Sequence, residues 1–251
     1  MTPGQAPTSE LYVYGITTAA ARIPEELTGV DGSGVRTLEL GAIAAVVSDL
    51  DDAEDFGRPA DLRAHASVLD AIAMDVPVLP MAFGTLVPEL EALEEIQDPA
   101  RQQEYLLGLK QVEGAIQFTL RARYVEASIL NEVVAGNPEV SRLRDATRGD
   151  SSEATYYERI RLGELIVGQM QEKAKQDAGR ILETIRPLVR DLRMRETNQA
   201  EDVLDVALLV AHEARSTFEG ALEQVAATMH DRVTFRLVGP QAPYDFAGES
   251  R

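Results

Sequence analysis

"VPVLPMAFGT", residues 76–85, decides how the first half of this chain is built. Read as a strand, it supplies the fourth strand of a sheet. Read as a ligand-binding turn, its Phe83-Gly84-Thr85 would sit at the centre of a site. Pro77 and Pro80 each lack the N–H that a regular ladder needs, and Gly84 permits a bend. Phe83-Gly84-Thr85 has no recognisable nucleophile–base pairing nearby in sequence. The stretch therefore reads as a core strand that proline keeps from pairing regularly.

The flanking sequence fits that reading. Upstream, "LYVYGIT" (11–17) is rich in aromatic and β-branched residues and predicts a strand. "VRTLEL" and "AIAAVVSDL" predict a hairpin about Gly41, followed by the acidic "DDAEDFGRP" (51–59) as a solvated loop. From Asp61 onward, Leu62, His65, Val68, Leu69 and Ile72 recur at three- and four-residue spacing, which predicts a helix. Downstream, "PELEALEEIQD" and "PARQQEYLLGLKQV" predict helix, with Pro88 suited to a first turn. "AIQFTLRARYV" then predicts another strand. The order β-β-β-α-β-α-β matches a ferredoxin-like α+β sandwich with an extra strand over residues 11–125, after a flexible leader at 1–10.

The second half, residues 126–246, also reads as α+β, with a flexible tail at 247–251. "EASILNEVVAG" predicts a short helix stopped by Gly136, and "NPEVSRLRDATRGD" a polar connector with a turn or two of helix. A long helix follows at about 153–186. Thr155 and Glu158 have capping-box spacing, Ile160, Ile166, Met170, Ala174, Ala178, Ile181 and Ile185 form its stripe, and Pro187 ends it. "LVRDLRMRE", "DVLDVALLVAHE" and the closing "RVTFRLVG" predict strands. Between the last two, Ser216 and Glu219 repeat the capping-box spacing before Phe218, Leu222, Val225 and Met229.

Composition narrows the functional classes. With 45% hydrophobic residues among 251, the chain can bury a real core. The absence of cysteine removes disulfides, thiolate metal sites and cysteine nucleophiles, and suits a reducing cytoplasm. No run reaches the roughly 18 apolar residues of a membrane span, and the N-terminus has no signal-peptide pattern. The net charge is −18, distributed as −14 over residues 1–100, +1 over 101–200 and −5 over 201–251. Such a field repels nucleic acid and anionic lipid, so neither is an expected partner.

The sequence carries little that signals chemistry. His65, His212 and His230 do not pair at metal spacing, and in "HEARS" Ser216 stands where a zinc-protease helix needs its second histidine. There is no P-loop, dinucleotide turn or nucleophile elbow. "DDAED" lacks the alternating ligands of a calcium loop. No cofactor and no metal is expected. His65 reads as a packed, hydrogen-bonded histidine. "TLRARY" and "DLRMRE" are strands that alternate apolar residues with Arg121, Arg123, Arg193 and Arg195. These arginines could dock an acidic partner or a second copy of the chain, or form ordinary solvated faces.

Four segments, taken together and in order, resemble the gas vesicle accessory family GvpF/GvpL. They are "YVYGI", the stretch from His65 through Pro80, Phe83, Gly84 and Thr85, "RIRLGELIV" with Gly163, Glu164 and Leu165, and "RLVGPQAPYDF" with Gly239, Pro240, Pro243, Tyr244 and Phe246. The resemblance spans about Leu11 to Phe246. It implies a cytoplasmic, gas vesicle-associated protein that is not an enzyme and acts in vesicle assembly. The implied role is to bind the major, very hydrophobic shell protein, and other accessory proteins, as adaptor, chaperone or nucleation factor. Two alternatives stand beside it: an enzyme with a site near His65 and Thr85, and a regulator that binds proteins through its arginine strands.

Overall fold

The computed structural model describes residues 10–50, 56–87, 98–149 and 155–248. The fold is α+β, with two antiparallel sheets and one long helix. In the first sheet the strand order is β2-β3-β1-β4, and β5 also pairs with β1. Strand β1 (Glu10–Thr18) is buried from Leu11 through Thr17, as expected for a strand covered on both faces. Strand β3 (Ile43–Leu50) pairs antiparallel along its whole length, with a register shift between Val13 and Gly15. At the edge, β2 (Arg36–Leu40) completes the hairpin.

The 76–87 region occupies the other side of β1 in two short pieces. β4 (Val78–Pro80) pairs with Gly15–Thr17, and β5 (Leu86–Val87) pairs with Leu11 and Tyr12. Between them the chain turns through Phe83 and Gly84, where Gly84 has φ +87°. The Thr85 hydroxyl closes that turn by donating to the Ala82 carbonyl at 2.8 Å. The proline-interrupted stretch is thus a broken strand, and Phe-Gly-Thr is the break. Helix α1 (Pro59–Ala73) lays His65, Val68, Leu69 and Ile72 on this sheet. Helix α2 (Pro99–Val112) starts at an Asp98 cap, whose carboxylate accepts the Ala100 N–H at 2.7 Å.

The second sheet has the order β7-β8-β6-β9. Along the chain come β6 (Ala115–Tyr124), α3 (Glu126–Gly136), α4 (Pro138–Thr147), α5 (Tyr156–Ile185), β7 (Asp191–Met194), β8 (Asp202–Ala211), α6 (Arg215–Thr228) and β9 (Val233–Gln241). This is the split βαββαβ order of a ferredoxin-like sheet. Strand β6, expected to close the first sheet, instead sits inside this one. Its first six residues are all buried, as an interior strand requires, and β8 and β9 are its neighbours.

By contact density the chain forms two compact units: residues 1–118, 209–212 and 239–251, and residues 119–208 and 213–238. The polar connector after Gly136 is a ten-residue helix, α4, capped by the Asn137 side chain, which accepts from Glu139 N and Val140 N. Neither capping box forms. Thr155 caps no backbone N–H, and its hydroxyl accepts from Arg159 instead. Helix α6 begins at Arg215, so Ser216 lies inside it and Glu219 pairs with Arg215 at 3.0 Å. The expected leader up to residue 9, the acids at 51–55, the helix over 88–97 and the tail from 249 lie outside the described residues.

Candidate functional site

In the first unit the residues singled out by motif converge on Tyr12 and His65. Helix α1 presents His65, only 1% exposed, to β1. The Tyr12 hydroxyl lies 2.8 Å from His65 Nδ1 and accepts the Gly84 N–H at 3.2 Å. Tyr14 stacks on the His65 ring, hydrogen-bonds Ser48 at 3.0 Å and accepts the Val30 N–H at 2.7 Å. Phe83 meets His65 edge-on, and Phe56 stacks on Phe83. His65 Nε2 is buried and makes no well-formed hydrogen bond among the described residues.

Burial sets the protonation states. Desolvation lowers His65 to about 4, against a smaller opposing effect of the Met81 backbone. It raises Tyr12 to about 12, and Tyr14 also upward. A general acid or base works best with a pKa near the working pH. At neutral pH this cluster is instead a set of uncharged rings that fasten α1, β1 and the Gly84 turn together.

The C-terminal motif joins the same unit. Gly239 has φ +139°, and a Cβ there would lie 2.7 Å from Phe118 Cδ1 and 2.8 Å from the Gln117 carbonyl oxygen. Beyond Pro240, the Ala242 N–H donates to Asp70 on α1 at 2.7 Å. Pro243 leads into a 3-10 turn at Tyr244–Phe246. Phe246 is buried, and Tyr244 lies 6.4 Å from the His65 ring, its hydroxyl raised by burial. The buried Gln117 amide donates to the Asp245 carboxylate and accepts the Asp245 N–H at 2.9 Å.

The second unit holds a charged cluster that no motif announced. Asp177 on α5, its side chain 2% exposed, lies 2.7 Å from Arg232 and accepts the Tyr124 hydroxyl at 2.6 Å. Arg232 also bonds Glu132 at 2.7 Å, and Lys173 meets Glu132 at 2.6 Å. The Arg232 hydrogen bond, followed by that of Lys173, holds Glu132 down to about 2. Desolvation and the Asp177 contact push the Tyr124 hydroxyl up. Glu132, Asp177, Arg180, Thr184, Met229 and Arg232 belong to the lining of a cleft of about 510 Å³. Because its acids and bases are bonded to one another, the cleft wall reads as a fastening between α3, α5 and the start of β9.

Of the four singled-out arginines, three are tied to the acids of β8 and the turn before it. Arg121 pairs with Asp205 at 2.8 Å, Arg123 with Asp202 at 3.0 Å, and Arg195 lies 4.0 Å from Asp205. Arg193 stands on the exposed β7 edge. Gly163, Glu164 and Leu165 lie in the first half of α5, away from the His65 cluster in sequence and in unit. Among the described residues no cluster of three or more histidine or acidic side chains could hold a metal ion, and no helix is long and apolar enough to cross a membrane.

The family model of the gas vesicle synthesis protein GvpL/GvpF matches residues 10–248. The chain belongs to the GvpL/GvpF family. It is 32% identical to gas vesicle protein F of a Streptomyces species over 94% of this chain and 98% of that one. It is 24% identical to gas vesicle protein F2 of Halobacterium salinarum over 95% and 92%. The crystal structure of GvpF from Anabaena sp. PCC7120 has the same fold, with a TM-score of 0.83, 21% identity, and coverage of 97% of this chain and all of that one. GvpF from Microcystis aeruginosa superposes with a TM-score of 0.80 at 20% identity, covering 96% and 99%. Membership in GvpL/GvpF carries a role in gas vesicle formation.

Sequence reasoning missed the Asp177 cluster. Its one local signal is an acid at a position of α5 flanked four residues away by Lys173 and Ile181, on the helix's inward side. Arg232, which completes the pair, lies 55 residues further along the chain.

Proposed function

We propose that this chain is a non-enzymatic accessory protein of gas vesicle assembly that binds the hydrophobic shell protein as adaptor, chaperone or nucleation factor, on the cytoplasmic side of the growing vesicle. The observation that carries this reading is the family match over residues 10–248. The geometry supports the non-enzymatic part. The groups best suited to chemistry are bonded into the fold, His65 by Tyr12 and Asp177 by Arg232 and Tyr124. The physical need is plain. A shell subunit that exposes apolar surface to water loses roughly 25 cal/mol for each Å². Covering a few hundred Å² until insertion would hold off aggregation.

The test is co-expression with the shell protein of a vesicle-forming host, followed by affinity capture of this chain. Co-purification of the shell protein, and absent or misshapen vesicles when this gene is deleted, are the expected results. Normal vesicles without the gene, together with no captured shell protein, would refute the proposal.

A further inference from the structure

Helix α5 carries a seam that its own unit covers only halfway. Tyr156, Ile160, Gly163 and Val167 follow one another by steps of four, three and four residues. The same alternation continues through Met170, Ala174, Asp177 and Ile181, the heptad spacing of a helix that packs lengthwise on another. From Met170 onward the seam is buried, and α3 and α6 pack against α5. Before Met170 it is open. Tyr156 is 51%, Ile160 44% and Val167 39% exposed, and a Cβ placed on Gly163 would meet nothing within 4 Å. Helix α4 packs on α5 as well, with Glu139 reaching Arg161, yet these seam positions stay uncovered.

We infer that the open half-seam of α5 docks, antiparallel, on the same half-seam of a second copy of this chain. The side-chain sizes match in that register. In an antiparallel pair an a position faces a d position, so Ile160 would fill the space above the partner's Gly163, and Tyr156 would lie over the partner's Val167. The two-fold repeats both contacts, and all four open positions are used. Beside the seam, Tyr157, 81% exposed, falls opposite the partner's Glu164, a hydroxyl donor facing a carboxylate acceptor. Charge agrees with this occupant. The chain carries −18, but residues 156–168 hold two acids and two arginines, so two copies meet along a locally neutral line. Four layers cover less than the roughly 800 Å² per partner of a standard interface. The association is therefore weak and tightens as salt screens the remaining charge. It goes beyond the shell-protein reading and does not depend on it.

Sedimentation equilibrium on the purified full chain tests this over a wide range of concentration and at two salt levels. A monomer–dimer equilibrium is expected, shifted at least tenfold toward monomer by Ile160→Glu and left unchanged by Leu107→Glu, an exposed leucine elsewhere. Circular dichroism confirms that both variants fold. Because the chain has no cysteine, an equal mixture of Ile160→Cys and Gly163→Cys proteins should form a disulfide dimer that neither variant forms alone. A monomer at every concentration, a dimer indifferent to Ile160→Glu, or Ile160→Cys cross-linking to itself would each overturn the inference. In the first case the seam is left for a different protein.

Discussion

Replacing His65 with phenylalanine should keep a ring against Tyr14 and Phe83 while removing the one group in that cluster that titrates between pH 4 and 7. In the folded chain burial lowers His65 to about 4, from an ordinary value of 6.5. Between those two values the unfolded chain binds a proton that the folded chain refuses. Stability is therefore fully present above about 6.5 and falls as the pH drops toward 4. A gap of 2.5 pH units corresponds to about 3 kcal/mol, of which about 2 kcal/mol is lost between pH 7 and 4.5. Glu132, held down to about 2, loses its contribution in a lower window, from its ordinary 4.5 downward. At pH 7 the variant should be the weaker protein by about 1 kcal/mol, since Tyr12 loses its bond to Nδ1. By pH 4.5 that ranking should close or reverse. Urea unfolding of both proteins at pH 7, 6, 5 and 4.5 measures this, and groups common to both, Asp70 among them, cancel in the difference. Parallel loss of stability in the two proteins would refute the reasoning, as would a folded-state His65 NMR titration centred near 6.5.

Arg232→Leu should lower stability by about 3 kcal/mol, because buried Asp177 loses the nearer of its two arginines and keeps only Arg180 at 3.4 Å; a thermal unfolding midpoint within a degree of wild type would contradict that. Gly239→Ala should destabilise more than Gly84→Ala in urea unfolding. The added Cβ at 239 meets Phe118 and the Gln117 carbonyl under 3 Å, whereas at 84 it has 3.7 Å to Phe56, leaving only the strain of a positive φ, about 1–2 kcal/mol.

Most elements were legible because their burial repeats at the period of the element. Leu11–Thr17 reads as a strand from its aromatic and β-branched residues and is one; on α1, His65, Val68, Leu69 and Ile72 face the sheet as their spacing demands, while Leu62 in the first turn is 52% exposed. What periodicity does not carry is the identity of the neighbour. The alternation of "TLRARY" shows that β6 has a basic face, but not that its partners are β8 and β9, which lie at least 78 residues away. The stripe read along α5 mixes two faces: Ile166 and Ala178 fall off the seam that runs through Ile160, Met170 and Ile181, while Asp177, overlooked because acids are usually solvated, is buried on it. In the first unit, family resemblance named His65, Phe83, Gly84 and Tyr244 together without saying why. Tyr12, whose hydroxyl touches both His65 and the Gly84 turn, supplies the reason.

The return of residues 239–248 to the first unit bears on how the chain is made. Asp70 and Gln117 are synthesised early, yet their partners Ala242 and Asp245 emerge last. During translation the N-terminal sheet, whose strands all lie within residues 10–87, must wait with an α1 carboxyl and a Gln117 amide still seeking bonds until the ribosome has nearly finished. Cutting the gene after the β8 codons would therefore yield no self-sufficient N-terminal module. It would yield a nascent-like fragment that holdase chaperones should recognise.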